Sequence, residues 1–145
     1  MSFIKKFGLI IILGLVSCTA VSGDDSIDDS VKVKINDNVF DVKLENNSAT
    51  QEFIKELKKG NVTVNASEYG GFEKVGNLGF SLPTSDKNIG TVPGDIVLYQ
   101  GDKLSLFYGS HSWNYTKIGK IDNVDSNKLK EVLGSDDVTL EFSLK

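Results

Sequence analysis

Hydrophobic and polar residues alternate over several short stretches of the chain, which is the pattern of half-buried β-strands. The alternation is clearest in Val31–Ile35, Asn61–Ala66 and Val138–Leu144. A turn at Asn36–Asn38 separates the first of these from a further alternating run, Val39–Leu44, so the two together predict a β-hairpin with one apolar face. The pattern therefore indicates a mostly β protein.

A second hairpin is predicted in the middle of the chain. Ile96–Tyr99 and Leu104–Tyr108 are short runs of β-branched and aromatic residues, and Gly101-Asp102 between them is a favoured hairpin dipeptide. A polar and aromatic stretch follows at Ser110–Tyr115, and Lys117–Ile121 resumes the strand pattern. Any binding site is expected near this stretch.

The spacing predicts a first helix between the two hairpins. Asn47 or Ser48 is suited to cap its N-terminus, with Gln51 completing a capping box with Ser48, and Gly60 ends it. The expected buried stripe consists of Ala49, Phe53, Ile54 and Leu57.

A second, shorter helix is predicted near the C-terminus. Asp125 or Ser126 begins it and Gly134 ends it. Its inward-facing residues are Leu129, Val132 and Leu133. By contrast, Ser67–Thr91 is interrupted by five glycines and is expected to be the least regular part of the chain.

The N-terminus has the features of a lipoprotein signal peptide at residues 1–17. Lys5 and Lys6 precede an apolar stretch that is too short to span a bilayer permanently. It ends in Leu15-Val16-Ser17-Cys18, which matches a bacterial lipobox and predicts lipidation of Cys18. Residues 18–30 are then an acidic, flexible tether, and the protein is expected to be anchored on the extracytoplasmic face of a membrane. The alternative is an ordinary secretory signal with a chance cysteine.

Composition limits the partners and cofactors. The chain has 145 residues with a formal net charge of −4, and all 16 basic residues are lysines. An acidic chain without arginine argues against nucleic acid as a partner. The single cysteine lies outside the predicted folded domain, residues 31–145, so no disulfide or cysteine-based metal site is expected there. No cofactor is predicted.

The order of several short motifs resembles a bacterial family of small cyclophilin-like proteins. The motifs are Gly94–Ile96, Leu98–Tyr99, Leu106–Gly109 and Tyr115–Ile121. The resemblance runs from about Val31 to Phe142. It implies a closed, mostly antiparallel β-barrel capped by two short α-helices, which is the architecture of peptidyl-prolyl isomerases, although most such proteins have no established activity.

Catalysis is less well supported by the sequence. Cyclophilin isomerases use an apolar proline pocket and an arginine, and this chain has no arginine; losing one preorganised donor costs roughly 10²–10³ in rate. Lys117 or Lys120 is the available substitute charge. A single histidine excludes a typical His-based zinc site, and Ser110 or Ser112 beside His111 would point to the opposite face of a strand.

Aromatic residues suggest ligand binding instead. A groove on the barrel wall is predicted to hold a peptide or small molecule, with Tyr69 as an additional wall. The candidate groove residues are Phe72, Phe80, Phe107, Tyr108, His111, Trp113 and Tyr115. The alternatives are that these side chains only fill the core, that the protein is a weak peptidyl-prolyl isomerase for exported proteins, or that the barrel serves for contacts with other envelope proteins.

Overall fold

The structure is a computed structural model that describes residues 30–145. The predicted signal peptide and Cys18 lie outside the described residues, as does the predicted tether except for Ser30. Ser30 accepts a backbone hydrogen bond from Lys145, at 3.0 Å. The two ends of the described part of the chain therefore lie together.

The described residues form nine strands and two helices. In chain order the elements are β1 (Val31–Ile35), β2 (Asn38–Leu44), α1 (Ser48–Lys59), β3 (Val62–Tyr69), β4 (Glu73–Asn77), β5 (Lys87–Gly90), β6 (Asp95–Tyr99), β7 (Lys103–Phe107), β8 (Ser112–Ile121), α2 (Ser126–Leu133) and β9 (Val138–Leu144). The expectation of a mostly β chain with two short helices is confirmed.

Eight of these strands close into an antiparallel barrel. Around the barrel the order is β2, β1, β9, β3, β4, β7, β6 and β8, and β8 returns to pair with β2. Strand β8 carries a bulge between Lys117 and Gly119. A Cβ atom at Gly119 would lie 2.6 Å from the carbonyl oxygen of Lys43, so the close approach of β2 at the closure requires glycine.

Alternation along the strands fills the barrel interior. On β1, for example, Val31, Val33 and Ile35 are buried, whereas Lys34 is exposed. The helix α1 contributes Phe53 to the same core, and its ring meets Phe142 edge-on with 5.6 Å between centroids. Because a barrel has no free strand edge, closure also satisfies the backbone hydrogen bonds of its strands.

The start of helix α1 differs in detail from the prediction. Asn47 is the N-cap, and it forms the capping box with Thr50 rather than Ser48 with Gln51. The Asn47 Oδ1 accepts from the Thr50 backbone N–H at 2.9 Å, while its Nδ2 donates to the Lys117 carbonyl at 2.8 Å. One side chain therefore both begins the helix and fixes it to the barrel.

The segment Ser67–Thr91 is more regular than expected. It contains the end of β3, all of β4 and the short strand β5. It also contains residues 78–86, the longest run outside helices and strands among the described residues. Strand β4 was not predicted because Glu73 and Lys74 are polar residues at buried positions, which hide the apolar pattern of a strand. The hairpin turn between β6 and β7 consists of residues 100–102 and so includes the predicted Gly101-Asp102, with Gln100 and Gly101 in left-handed conformations (φ 54° and 78°).

Strand β8 extends beyond the barrel. Its second half pairs with β6 and β2, but its first half, Ser112–Tyr115, pairs with β5. Strand β5 has no other strand partner among the described residues. The extension brings Trp113 opposite Ile89, outside the barrel wall.

Candidate ligand-binding site

One part of the barrel wall is covered on both faces. Strands β6 and β7 are buried at nearly every position. Because the side chains of a strand point alternately to its two faces, other residues must cover the outer face as well as the inner one. Val97, Phe107 and Tyr115 form a second buried hydrophobic cluster there, separate from the barrel interior. The residues packed over this outer cluster are Phe72, Ile89 and Tyr99.

Phe72 is held over the outer cluster by its own backbone. Its carbonyl oxygen accepts hydrogen bonds from the N–H groups of Tyr108 and Gly109, both at 3.0 Å. A Cβ atom at Gly109 would lie 3.0 Å from Phe72 Cβ, so glycine permits this close approach. The Phe72 ring then stacks on Phe107 on one side, with centroids 6.0 Å apart, and on His111 at 4.4 Å.

His111 is positioned through its backbone by Thr91. The Thr91 N–H and hydroxyl group both donate to the His111 carbonyl at 2.9 Å, and the His111 N–H lies 3.0 Å from the Thr91 hydroxyl oxygen. The His111 ring is stacked near Trp113, with 6.5 Å between centroids. Trp113 is 54% exposed, so this indole forms an accessible edge of the site.

A cavity of about 380 Å³ opens between these aromatic residues. It lies on the outer face of β3, β4, β6, β7 and β8, at the edge of the outer cluster. Its lining residues are Tyr69, Glu73, Val75, Tyr99, Lys103, His111, Trp113 and Tyr115. Tyr115 is buried, whereas Tyr69 and Trp113 are more than half exposed. The volume is within the range of small-molecule sites; we call this cavity the aromatic pocket.

Glu73 is the only acidic residue among those that line the aromatic pocket. It is 7% exposed, and its Oε2 has no hydrogen-bond partner among the described residues. Burial raises the pKa of this carboxyl to about 7, since the charged form loses its hydration; the hydrogen bond with Ser105 opposes the increase and the charge of Glu68 adds to it. Burial, followed by the charge of Glu73, also raises the pKa of Tyr115 to about 12.

A second polar cluster lies on the other face of β4. Lys74 is fully buried, and its Nζ donates to the Asp136 carbonyl at 2.7 Å and lies 3.6 Å from Glu68 Oε1. The Tyr108 hydroxyl group donates to the same Glu68 oxygen at 2.6 Å. Burial, with the charge and hydrogen bonding of Glu68, raises the pKa of Tyr108 to about 12. This cluster connects β3, β4 and the loop before β9.

The structure separates the predicted groove residues into groups. His111, Trp113 and Tyr115 line the aromatic pocket, and Phe72 and Phe107 pack beside it. Tyr108 points the other way, into the barrel core. Phe80 packs on the barrel core from a shallow depression near Glu56. Tyr108 and Phe80 are not in the aromatic pocket, because strand alternation and the path of the chain after β4 place them elsewhere.

Four pocket residues were missing from the predicted groove: Glu73, Val75, Tyr99 and Lys103. The sequence contained an indication of Tyr99 and Lys103, because they flank the turn of the predicted hairpin. They are directly opposite partners, and their side chains point away from the barrel core. Glu73 and Val75 had none, because the strand that carries them was not recognised.

The lysines near the pocket are already paired. Lys103 Nζ lies 3.1 Å from Asp102, and Lys117 Nζ lies 3.2 Å from the buried Asp95. Between residues 30 and 145, no group of three or more His, Cys, Asp and Glu side chains could hold a metal ion. In the same part of the chain, neither helix has the length and apolar character that crossing a membrane requires.

Comparisons with known proteins agree with the fold. No curated protein sequence matches the chain. A solved structure with a similar fold is that of McbB in complex with tryptophan, with a TM-score of 0.53 and 10% identity, covering 79% of this chain and 44% of McbB. At this identity the likeness concerns the fold alone, and the chain spans less than half the length of McbB. The profile of the Cyclophilin-like family matches residues 33–143, and the chain therefore belongs to the Cyclophilin-like family.

Proposed function

We propose that this protein is a lipid-anchored, extracytoplasmic binding module that takes up a small ligand in the aromatic pocket. The observation that carries the proposal is the cavity of about 380 Å³, which is lined by four aromatic side chains and one buried carboxyl group. Apolar cavities with a few polar groups are the usual form of small-molecule sites. A barrel wall that only stabilised the fold would not need exposed aromatic residues such as Tyr69 and Trp113.

Two further observations support binding. The structure of McbB, whose fold is similar, was solved with tryptophan, a small aromatic molecule. The outer cluster of Val97, Phe107 and Tyr115 also gives the pocket a buried floor that is separate from the barrel interior. A site with its own floor keeps its shape when no ligand is present, which lowers the entropic cost of binding.

The proposed location depends on the sequence of the N-terminal segment. Lys5 and Lys6, the following apolar stretch and the Leu15–Cys18 motif together support lipid attachment at Cys18. Two or three acyl chains on one residue give a stable membrane anchor, whereas one chain alone is marginal. The acidic tether then places the barrel at a distance from the membrane surface.

Weak peptidyl-prolyl isomerisation has less support. An isomerase needs a donor that is free to bind the twisted amide, and the nearest cations, Lys103 and Lys117, are engaged by Asp102 and Asp95. Faster cis/trans exchange of Ala-Pro peptides in NMR exchange spectra, lost in a variant with a filled pocket, would favour catalysis over simple binding.

Ligand binding is tested by filling the cavity. A fragment library is screened against the purified protein by NMR, and hits are followed through the fluorescence of Trp113, the only tryptophan. Val75→Phe should abolish the responses because Val75 lines the pocket. Val39→Phe is the matched control, since Val39 is exposed on β2. Responses that survive Val75→Phe, or no pocket response to any fragment, would contradict the proposal.

Anchoring is tested separately through the single cysteine. Metabolic labelling with an alkyne-modified fatty acid should mark the wild-type protein in the membrane fraction. The Cys18→Ala variant should carry no label, because the chain has no other cysteine for thioether attachment. Equal labelling and membrane retention of the variant would show that the anchor is wrongly assigned.

A further inference from the structure

The aromatic pocket has one buried acid, Glu73, which forms no ion pair among the described residues. None of the ion pairs among residues 30–145 includes Glu73. Its Oε2 is shielded from water and has no hydrogen-bond partner in the same part of the chain. A buried charged group that has no partner is unfavourable, so a ligand that supplies the missing positive charge gains more in this pocket than a neutral one.

The walls of the pocket favour the same kind of ligand. Tyr69, Tyr99, Trp113 and Tyr115 surround the cavity, and the faces of aromatic rings attract cations. The effect is strongest when the cation is removed from water, as it is beside the buried Tyr115. The acidic and the aromatic side chains of the pocket therefore both favour a positively charged ligand.

We propose that the aromatic pocket selects organic cations, namely small molecules with an ammonium group that pairs with Glu73 while the aromatic rings enclose the attached carbon skeleton. This inference rests on the proposed function and adds the chemical class of the ligand. In the structure Glu73 lines the cavity with its Oε2 covered. Pairing therefore includes a rotation of the carboxyl group toward the cavity.

The charged groups around Glu73 are compatible with a bound cation. The groups that face it are Tyr69 on β3, Tyr99 on β6, Ser105 and Lys103 on β7, His111 before β8 and Tyr115 on β8. Glu68 lies on the opposite face and is paired with Lys74 at 3.6 Å, while Lys103 lies at the rim and is paired with Asp102 at 3.1 Å. Lys74 lies on the opposite face of β4.

Binding of an ammonium group should be linked to the proton of Glu73. The carboxyl group has a pKa of about 7 without ligand, so near neutral pH about half of the molecules carry the proton. A cation binds the ionised form and lowers this pKa. Cation binding should therefore release a fraction of a proton near pH 7 and should become tighter as the pH rises through this value.

Three probes of similar size and shape test the charge preference: phenethylamine, 2-phenylethanol and 3-phenylpropionate. They are titrated into the purified protein at about pH 8 and followed by NMR shifts of the pocket residues. We expect the amine to bind about tenfold more tightly than the other two, as expected for one charge-assisted contact. Glu73→Gln should abolish this preference while leaving weak binding of the alcohol. Glu131→Gln, an exposed carboxylate on α2, is the control.

Calorimetry in two buffers of different ionisation enthalpy gives a second measurement. Binding of the amine near pH 7 should release protons from the wild-type protein but not from Glu73→Gln. Because His111 is present in both proteins, the difference in proton release between them reports on Glu73 alone.

Pocket shifts with equal or tighter binding of the alcohol or the acid would overturn the cation assignment and leave the proposed function intact. Amine binding without Glu73-dependent proton release would also overturn it. If neither these probes nor the fragment library shifts the pocket residues, the proposed function and this inference fail together.

Discussion

The carboxyl group of Glu73 lies where water cannot reach one of its oxygens, and this single placement changes both stability and chemistry. In an unfolded chain a glutamate loses its proton near pH 4.5, but in the folded protein Glu73 keeps it until about pH 7. Between these values the folded state binds more protons than the unfolded state. The free energy of unfolding therefore falls as the pH rises through this window.

Replacing Glu73 with glutamine should remove that fall. Between about pH 5 and pH 8 the free energy of unfolding of the wild-type protein should fall by roughly 1–3 kcal/mol more than that of Glu73→Gln. The range follows from about 1.4 kcal/mol for each unit of pKa difference between the folded and unfolded states, reduced for solvent screening. Urea denaturation of both proteins at the two pH values measures the difference. Parallel changes in the two proteins would show that Glu73 titrates like an ordinary surface glutamate.

At the scale of secondary structure, the side chain of Asn47 shows that contacts with a neighbouring strand determine where a helix begins. It caps α1 and also donates to the Lys117 carbonyl next to the bulge of β8. The sequence offered Asn47 and Ser48 as equivalent caps. Only the three-dimensional contact with β8 separates them.

Substitution distinguishes the two candidate caps. Asn47→Ala should lower the free energy of unfolding by about 1–2 kcal/mol because the helix and the barrel each lose a hydrogen bond. Ser48→Ala, at an exposed position, should change it by less than about 0.5 kcal/mol. Thermal or urea unfolding measures both, and a larger loss for Ser48→Ala would reverse the assignment of the cap.

The elements that were predicted and those that were missed differ in how polarity relates to burial. Val31–Ile35 and Val138–Leu144 alternate visibly because their inward residues are apolar and most of their outward residues are polar. Strand β4 has Glu73 buried toward the pocket and Lys74 buried on the other face. The polarity of its residues therefore gives no indication that they are buried. The rings of Tyr99 on β6 and Tyr115 on β8 meet edge-on with 6.1 Å between centroids, a contact between strands that are not consecutive in the chain.

The whole molecule has two apolar regions with different roles. The barrel interior, which includes the contact between Phe53 and Phe142, contains most of the buried side chains. The outer cluster of Val97, Phe107 and Tyr115 is small and supports the pocket. Fold stability should therefore depend mainly on the barrel interior, and ligand binding on the exposed residues of the pocket that the outer cluster supports.

Two alanine substitutions test this division. Phe53→Ala should cost about 3–5 kcal/mol because the residue is fully buried and leaves a cavity. Trp113→Ala should change the free energy of unfolding by no more than about 0.5 kcal/mol, since its ring is mostly exposed, yet it should weaken ligand binding. Chemical denaturation combined with NMR titration measures both effects. A cost above about 2 kcal/mol for Trp113→Ala would mean that the pocket rim is part of the structural core.

The position of the pocket on the outside of a closed barrel also affects how readily its ligand specificity can change through substitution. Tyr69, Tyr99 and Trp113 are not part of the barrel's interior core, so substitutions there should leave the interior packing in place. Most members of a library randomised at these three positions should therefore remain folded. Descendants of one barrel can acquire different specificities in few steps, and the same property makes the domain a practical scaffold for engineered small-molecule sensors.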